Sequence, residues 1–192
     1  LEAEMLDQLV QILQRGGVLS CATETLQGLL ADALNERAVA RVVALKQRGS
    51  EPIAVLVPSL AAAEALSAEP LSPAACALAA AHWPGALTLV VRARPGLPVA
   101  LAPQGTIGVR VPGPSPALDL VRAFAGPLTA TSCNVSGRPP ARSEAEARAY
   151  FAGQLDAIVA GDAPGGAAST VLDVTGPTPR LLRQGAIHVR LS

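Results

Sequence analysis

Pro127-Leu128-Thr129-Ala130-Thr131-Ser132-Cys133-Asn134-Val135-Ser136-Gly137 carries the pattern from which the rest of the chain can be read. Pro127 to Thr131 reads as a buried strand, and it empties into a polar turn of Ser132, Asn134 and Ser136 closed by glycine. The pattern recurs twice. Val18 to Ala22 reads as a short strand running into Thr23-Glu24-Thr25, and the glycine-rich Gly161 to Gly166 leads to Ser169-Thr170 at the head of another strand. Hydroxyls, amides and exposed backbone N–H groups at strand ends bind small polar ligands. Taken singly, each cluster also reads as an ordinary turn or helix cap. Arg48, Arg110 and Arg183 lie in similar settings, and the sum points to a polar, anion-binding cleft.

Outward from these turns, strands and helices interleave. Leu6, Leu9, Val10 and Leu13 have helical spacing, stopped by Gly16-Gly17. Asn35 caps a second helix with Ala38, Val39, Val42, Val43 and Leu45 on its apolar side. Pro52 to Val57 is a buried strand, Ser59 and Ser72-Pro73 start two further helices, and Trp83-Pro84-Gly85 is a turn. Ala86 to Ala93 is a strand in which Thr88 is the only polar residue before Arg92. Thr106 to Pro112 is a strand that alternates Ile107, Val109 and Val111 against Thr106, Gly108 and Arg110. Ser115-Pro116 opens a helix to about Phe124, and Ser143-Glu144-Ala145-Glu146 is a capping box. Asp156 to Ala160, Ser169 to Val174, Leu181-Leu182 and Ile187 to Leu191 complete the strands. Hairpin-like pairs among the alternating elements predict an α/β chain of α+β character: one domain over residues 1–192 with a mixed sheet.

Composition narrows the function. Half of the 192 residues are hydrophobic and 16% are charged, so the chain is globular. Formal net charge is zero, which supplies no global field for nucleic acid or membrane. Trp83, Tyr150, Phe124 and Phe151 are the only aromatics, too few for a base-stacking platform. Cys21, Cys76 and Cys133 lack metal spacing, so no metal site and no disulfide framework is expected. The N-terminal stretch does not resemble a signal peptide and no window has transmembrane length, which predicts a cytoplasmic protein with no membrane partner.

Lys46 is the only lysine among 15 basic residues. It closes the second helix two residues before Arg48. The pair reads either as cations complementing a helix C-terminus or as a site for phosphate or carboxylate. No Walker A, GxGxxG or GxSxG motif is present, and His82 and His188 lie in unrelated settings.

With these residues in order, the chain resembles the YrdC family of threonylcarbamoyl-AMP synthases, in the short form without an extra C-terminal domain. The resemblance rests on Thr23-Glu24-Thr25-x-x-Gly28-Leu29, Asn35 with Ala38-Val39, Lys46-x-Arg48, Pro52 and Trp83-Pro84-Gly85-x-Leu87-Thr88. It continues through Val109-Arg110-Val111-Pro112, Ser132-x-Asn134-x-Ser136-Gly137, Ser169-Thr170-Val171 and Arg183-x-Gly185. It implies a YrdC/RibB-like fold, a large twisted mixed sheet flanked by helices around a deep cavity. It also implies formation of threonylcarbamoyl-AMP and pyrophosphate from L-threonine, bicarbonate and ATP with Mg2+, the product passing to a tRNA-modifying threonylcarbamoyl transferase complex. Double-stranded RNA or tRNA is an implied binding partner.

By the same resemblance, Lys46 and Arg48 are the catalytic cations and Thr25, Ser132 and Ser169 hold L-threonine. Arg48, Arg110, Asn134, Ser136, Ser143 and Arg183 hold ATP. The chain departs from the family pattern at Ala22, usually Pro, and at Gln27, usually Tyr. It also has Gly113-Pro114 where a His often follows, and Cys133 in place of Ala. Two alternatives stand beside the synthase reading. One is a paralogue that binds nucleotide or double-stranded RNA without synthesis, and the other is a carbamoyl-transfer domain of the hydrogenase-maturation type.

Overall fold

A computed structural model of the protein describes residues 1–47 and 49–191. Its elements follow in the order α1 (Ala3–Gln14), β1 (Leu19–Ala22), β2 (Gln27–Leu30), α2 (Glu36–Lys46), β3 (Ala54–Leu56), α3 (Leu60–Glu64), α4 (Pro73–His82) and β4 (Leu87–Arg92). Then come β5 (Thr106–Arg110), α5 (Pro116–Phe124), β6 (Leu128–Ser132), α6 (Glu144–Phe151), β7 (Ala157–Ile158), β8 (Thr170–Asp173) and β9 (Arg180–Arg183). The strands form one mixed sheet in the order β7-β1-β2-β6-β3-β5-β4-β8-β9. β1/β7, β3/β5 and β4/β8 are parallel pairs, and the other neighbours are antiparallel.

The helices start where short polar side chains can take the first free amides. Asn35 accepts from Arg37 N and Ala38 N, and Ser59, Ser72, Ser115 and Ser143 each accept from the amide three residues on. Pro73 and Pro116 occupy first-turn positions, where a missing N–H costs nothing. The capping box at α6 is shifted by one residue: Glu146 Oε2 accepts from Arg142 N at 2.6 Å.

Period-two alternation divides the sheet into two faces with different tasks. One register row runs Thr129, Val55, Val109, Leu89 and Leu172, and all five are fully buried on the core face. The adjacent row runs Ala130, Ala54, Gly108 and Val90, on the opposite face. Small side chains along that second row leave a hollow. α1 packs on α5, α5 on β1 and α4 on β4, so these helices cover parts of the sheet. All three cysteines are free; burial pushes the Cys21 thiol up to about 12, so it stays protonated.

One expected strand is absent. Ile187 to Leu191 does not join the sheet. Thr170 Oγ1 donates to Ile187 O and accepts from Ile187 N, and Gln184 Nε2 also donates to Ile187 O. Side chains thereby take both backbone groups of Ile187.

β9 is delivered by a turn built on Asp173. Its carboxylate accepts from Thr175 Oγ1 at 2.6 Å, Thr175 N at 2.9 Å and Arg180 Nη2 at 3.0 Å. These donors, the Thr175 hydroxyl foremost, hold the Asp173 carboxyl below its ordinary value of 3.8. A depressed folded-state pKa contributes stability above the unfolded value and loses it as pH falls through the folded one. Asp173→Asn should therefore lower the melting temperature at neutral pH by the equivalent of at most about 1 kcal/mol after solvent screening. The difference from wild type should close as thermal melts are taken below pH 3.8.

Candidate active site

The hollow on the small-residue face is a cleft of about 660 Å³. Its floor is Gly28, Ala54, Gly108 and Ala130, and its walls carry Thr23, Thr25, Thr88, Thr106, Arg110, Thr131, Ser132, Ser169 and Arg183. The three strand-end clusters of the sequence thus meet around one space. The β1–β2 turn supplies one wall, the exit of β6 another, and the approach to β8 with β9 the third.

Each wall is internally knitted. In the β1–β2 turn, Thr23 Oγ1 donates to Leu26 O at 2.8 Å and accepts from Thr25 N and Leu26 N, both at 3.1 Å. This leaves Thr25 facing the cleft, 3.0 Å from Thr23 between hydroxyls. In the third wall, Ser169 Oγ and Thr88 Oγ1 are 2.8 Å apart. Arg183 donates to Ser169 O through Nε at 3.1 Å and Nη2 at 2.9 Å, and Nη2 lies 3.2 Å from Ser169 Oγ. Gly185 permits this closeness: a Cβ there would fall 2.4 Å from Ser169 O and 2.3 Å from Ala168 O.

The β6 exit is organised by Lys46. α2 ends at this residue, and its side chain is only 2% exposed. Nζ donates to Ser132 O at 2.6 Å, Asn134 Oδ1 at 2.9 Å and Asn134 O at 3.2 Å. Ser132 Oγ donates to the same Asn134 Oδ1 at 2.6 Å, and Asn134 Nδ2 donates to Arg138 O at 2.7 Å. Ser136 N donates to Lys46 O at 2.9 Å. The lone lysine therefore clamps the turn that presents Ser132, and its own ammonium is not part of the cleft lining.

The sites expected from sequence separate into groups. Thr25, Ser132, Ser169, Arg110 and Arg183 line the cleft. Lys46, Asn134 and Ser136 form the scaffold behind Ser132. Ser143 does not line the cleft; its hydroxyl caps α6 by accepting from Glu146 N at 3.1 Å. Arg48 lies outside the described residues. Among the polar lining residues, Gln27, Glu51, Thr88, Thr106 and Thr131 are not assigned as ligands by the sequence reading. Thr88 and Thr106 carry a legible signal: Thr88 is the one polar residue of its strand before Arg92, and Thr106 alternates on the face of Arg110. Gln27 is fully buried, accepts from Ser20 Oγ at 3.2 Å and donates to Gly161 O at 2.7 Å. It ties β2 to the glycine-rich segment beside the cleft.

The electrostatics favour an anion. Burial lowers the pKa of Arg110, an effect partly offset by Glu24. Burial and the charge of Arg110 both lower that of Arg183. Two guanidiniums that line one cleft and repel each other are complementary to a phosphate chain bound by both. Among the described residues there is no cluster of three metal-ligating side chains, and no helix is long and apolar enough to cross a membrane.

A mixed nine-stranded sheet with hydroxyls and arginines converging on one face defines an α/β protein built to bind a small polar, anionic ligand. Residues 11–185 match the Sua5/YciO/YrdC family, described under the heading telomere recombination, and the chain belongs to that family. It is 38% identical over 160 residues to the threonylcarbamoyl-AMP synthase of Cellvibrio japonicus, covering 78% of this chain and 80% of that protein. Its fold superposes on Pyrococcus abyssi Sua5 complexed with L-threonine with a TM-score of 0.91 and 33% identity, over 96% of this chain and 55% of that one. It matches Escherichia coli YciO with a TM-score of 0.86 and 25% identity, over 96% of this chain and 90% of that one.

The clamp at Lys46 has a measurable consequence. Lys46→Met should strand the Ser132 and Asn134 oxygens and reduce stability by about 3 kcal/mol in urea unfolding. Ligand affinity should fall in the same variant, because Ser132 is no longer held at the wall.

Proposed function

We propose that the protein is an L-threonylcarbamoyladenylate synthase, making threonylcarbamoyl-AMP and pyrophosphate from L-threonine, bicarbonate and MgATP. The observation that carries this reading is the meeting of three hydroxyl-bearing strand ends and two arginines on one cleft. The chain in which they meet is similar over 96% of its length to a Sua5 solved with L-threonine.

The chemistry asks for little acid–base work. The amine of threonine adds to bicarbonate, losing water to give a carbamate. A carbamate oxygen then attacks the α-phosphorus of ATP, and the bond to the bridging oxygen of the β-phosphate breaks to release pyrophosphate. Every species is anionic, so alignment and charge neutralisation dominate. In this reading Thr25, Ser132 and Ser169 hold the amino acid through their hydroxyls. Arg110 and Arg183 hold the phosphates, and Arg48 adds a third cation. Lys46 and Asn134 contribute by fixing the turn that carries Ser132. Magnesium would enter with ATP as MgATP and would supply further charge neutralisation at the phosphates. Glu24 is turned to Arg110 and does not line the cleft, which argues against its use as a general base on the substrate.

The anhydride product is reactive, and its use in the cytoplasm by a tRNA-modifying threonylcarbamoyl transferase complex completes the proposal. Net charge is zero, so contact with tRNA or double-stranded RNA would fall to local, exposed arginines such as Arg138 and Arg142 beside the cleft. The test is isotope exchange. With ATP, bicarbonate, magnesium and labelled pyrophosphate, label should enter ATP only when L-threonine is present. Exchange without threonine, or driven by carbamoyl phosphate, would contradict the proposal.

A further inference from the structure

Arg110 is the most enclosed charged group on the cleft wall, with 7% of its surface exposed. Its partner is Glu24, on the β1–β2 turn: Arg110 Nη2 donates to Glu24 Oε1 at 2.5 Å. Arg110 lines the cleft, whereas Glu24 does not. Two features fix Glu24 in place. The Thr23 hydroxyl locks the turn, and the Glu24 side chain lies flat on Gly113, where an added Cβ would meet Glu24 Cγ at 3.0 Å and Cδ at 3.2 Å. Glycine at 113 thus makes room for the carboxylate to reach Arg110.

The pair is incomplete. Glu24 Oε2 and Arg110 Nε are both buried and lack a hydrogen-bond partner, so the fork-to-fork contact open to arginine and carboxylate is only half made. A buried cation left uncompensated is strongly disfavoured, and Glu24 supplies the compensation. Arg110 also repels Arg183, which lines the same cleft. An anion entering between the two arginines therefore meets a guanidinium that already has a counter-charge.

We propose that Glu24 is the built-in counter-ion of the cleft. It positions Arg110 and competes with the anionic ligand for it, so the Glu24 charge limits how tightly the cleft holds pyrophosphate. This rests on the reading of the cleft as a phosphate site. Glu24 is a positioning residue and touches no substrate. It keeps Arg110 aimed when the cleft is empty and weakens the hold on the product phosphate when the cleft is full.

The test is calorimetric titration of inorganic pyrophosphate into wild type, Glu24→Gln, Arg110→Met and the double variant. Glutamine keeps the acceptor at Oε1 and removes the charge. The result expected is pyrophosphate binding about tenfold tighter in Glu24→Gln, since a unit charge close to the ligand is lost from a poorly solvated site. The gain should vanish in the Arg110→Met background, where there is no guanidinium to share. A role confined to structure would shift the melting temperature without tightening binding. If Glu24→Gln does not fold, Glu24→Asp draws the carboxylate back by one methylene and should tighten binding by a smaller factor. Unchanged or weaker pyrophosphate binding in whichever variant folds overturns the counter-ion proposal. Wild type that binds no pyrophosphate overturns instead the reading of the cleft as a phosphate site.

Discussion

The ammonium of Lys46 is the constraint on which the candidate active site depends. A lysine that is 2% exposed must find oxygen acceptors or lose its charge, and this one finds them at Ser132 O, Asn134 O and Asn134 Oδ1. The clamp joins the end of α2 to the exit of β6, residues far apart in sequence. Ser132, Asn134 and the segment to Arg138 are then tied to each other by side-chain bonds. The cation that first reads as a phosphate ligand thus shapes the wall against which a ligand would lie.

The second determinant is the choice of small side chains on one face of the sheet. Val55, Val109, Leu89 and Leu172 make the core face, while Ala54, Gly108 and Ala130 leave space on the other. The polar residues at the strand ends then close over this space from three sides. Stability and function draw on opposite faces of the same strands, so the hollow does not require a gap in the hydrophobic core.

Much of this was legible in the sequence. The helix caps at Asn35, Ser59, Ser72, Ser115 and Ser143 could be read because a capping side chain and the amide it bonds lie within three residues. The faces of β5 could be read because Thr106, Gly108 and Arg110 alternate with Ile107 and Val109. The positions of Thr25, Ser132 and Ser169 at strand ends pointed to one cleft, and they share one. What could not be read depends on contacts distant in sequence. The Lys46 clamp spans α2 to β6, and the Glu24–Arg110 pair joins the first turn to β5. The expected strand at Ile187 failed for a similar reason: the Thr170 side chain takes its backbone groups, and nothing near Ile187 announces that. A capping serine and a ligand serine look alike in sequence, and in the structure the Ser143 hydroxyl caps α6.

The central claim is that the two arginines grip the phosphates while Lys46 holds the wall. A crystal structure of the protein with L-threonine and a non-hydrolysable MgATP analogue tests it most directly. The account predicts the phosphate chain between Arg110 and Arg183, threonine against Thr25, Ser132 and Ser169, and the Lys46 ammonium still on the Ser132 and Asn134 oxygens. A nucleotide bound outside this cleft, or a Lys46 side chain withdrawn from the turn to meet the phosphates, would contradict it.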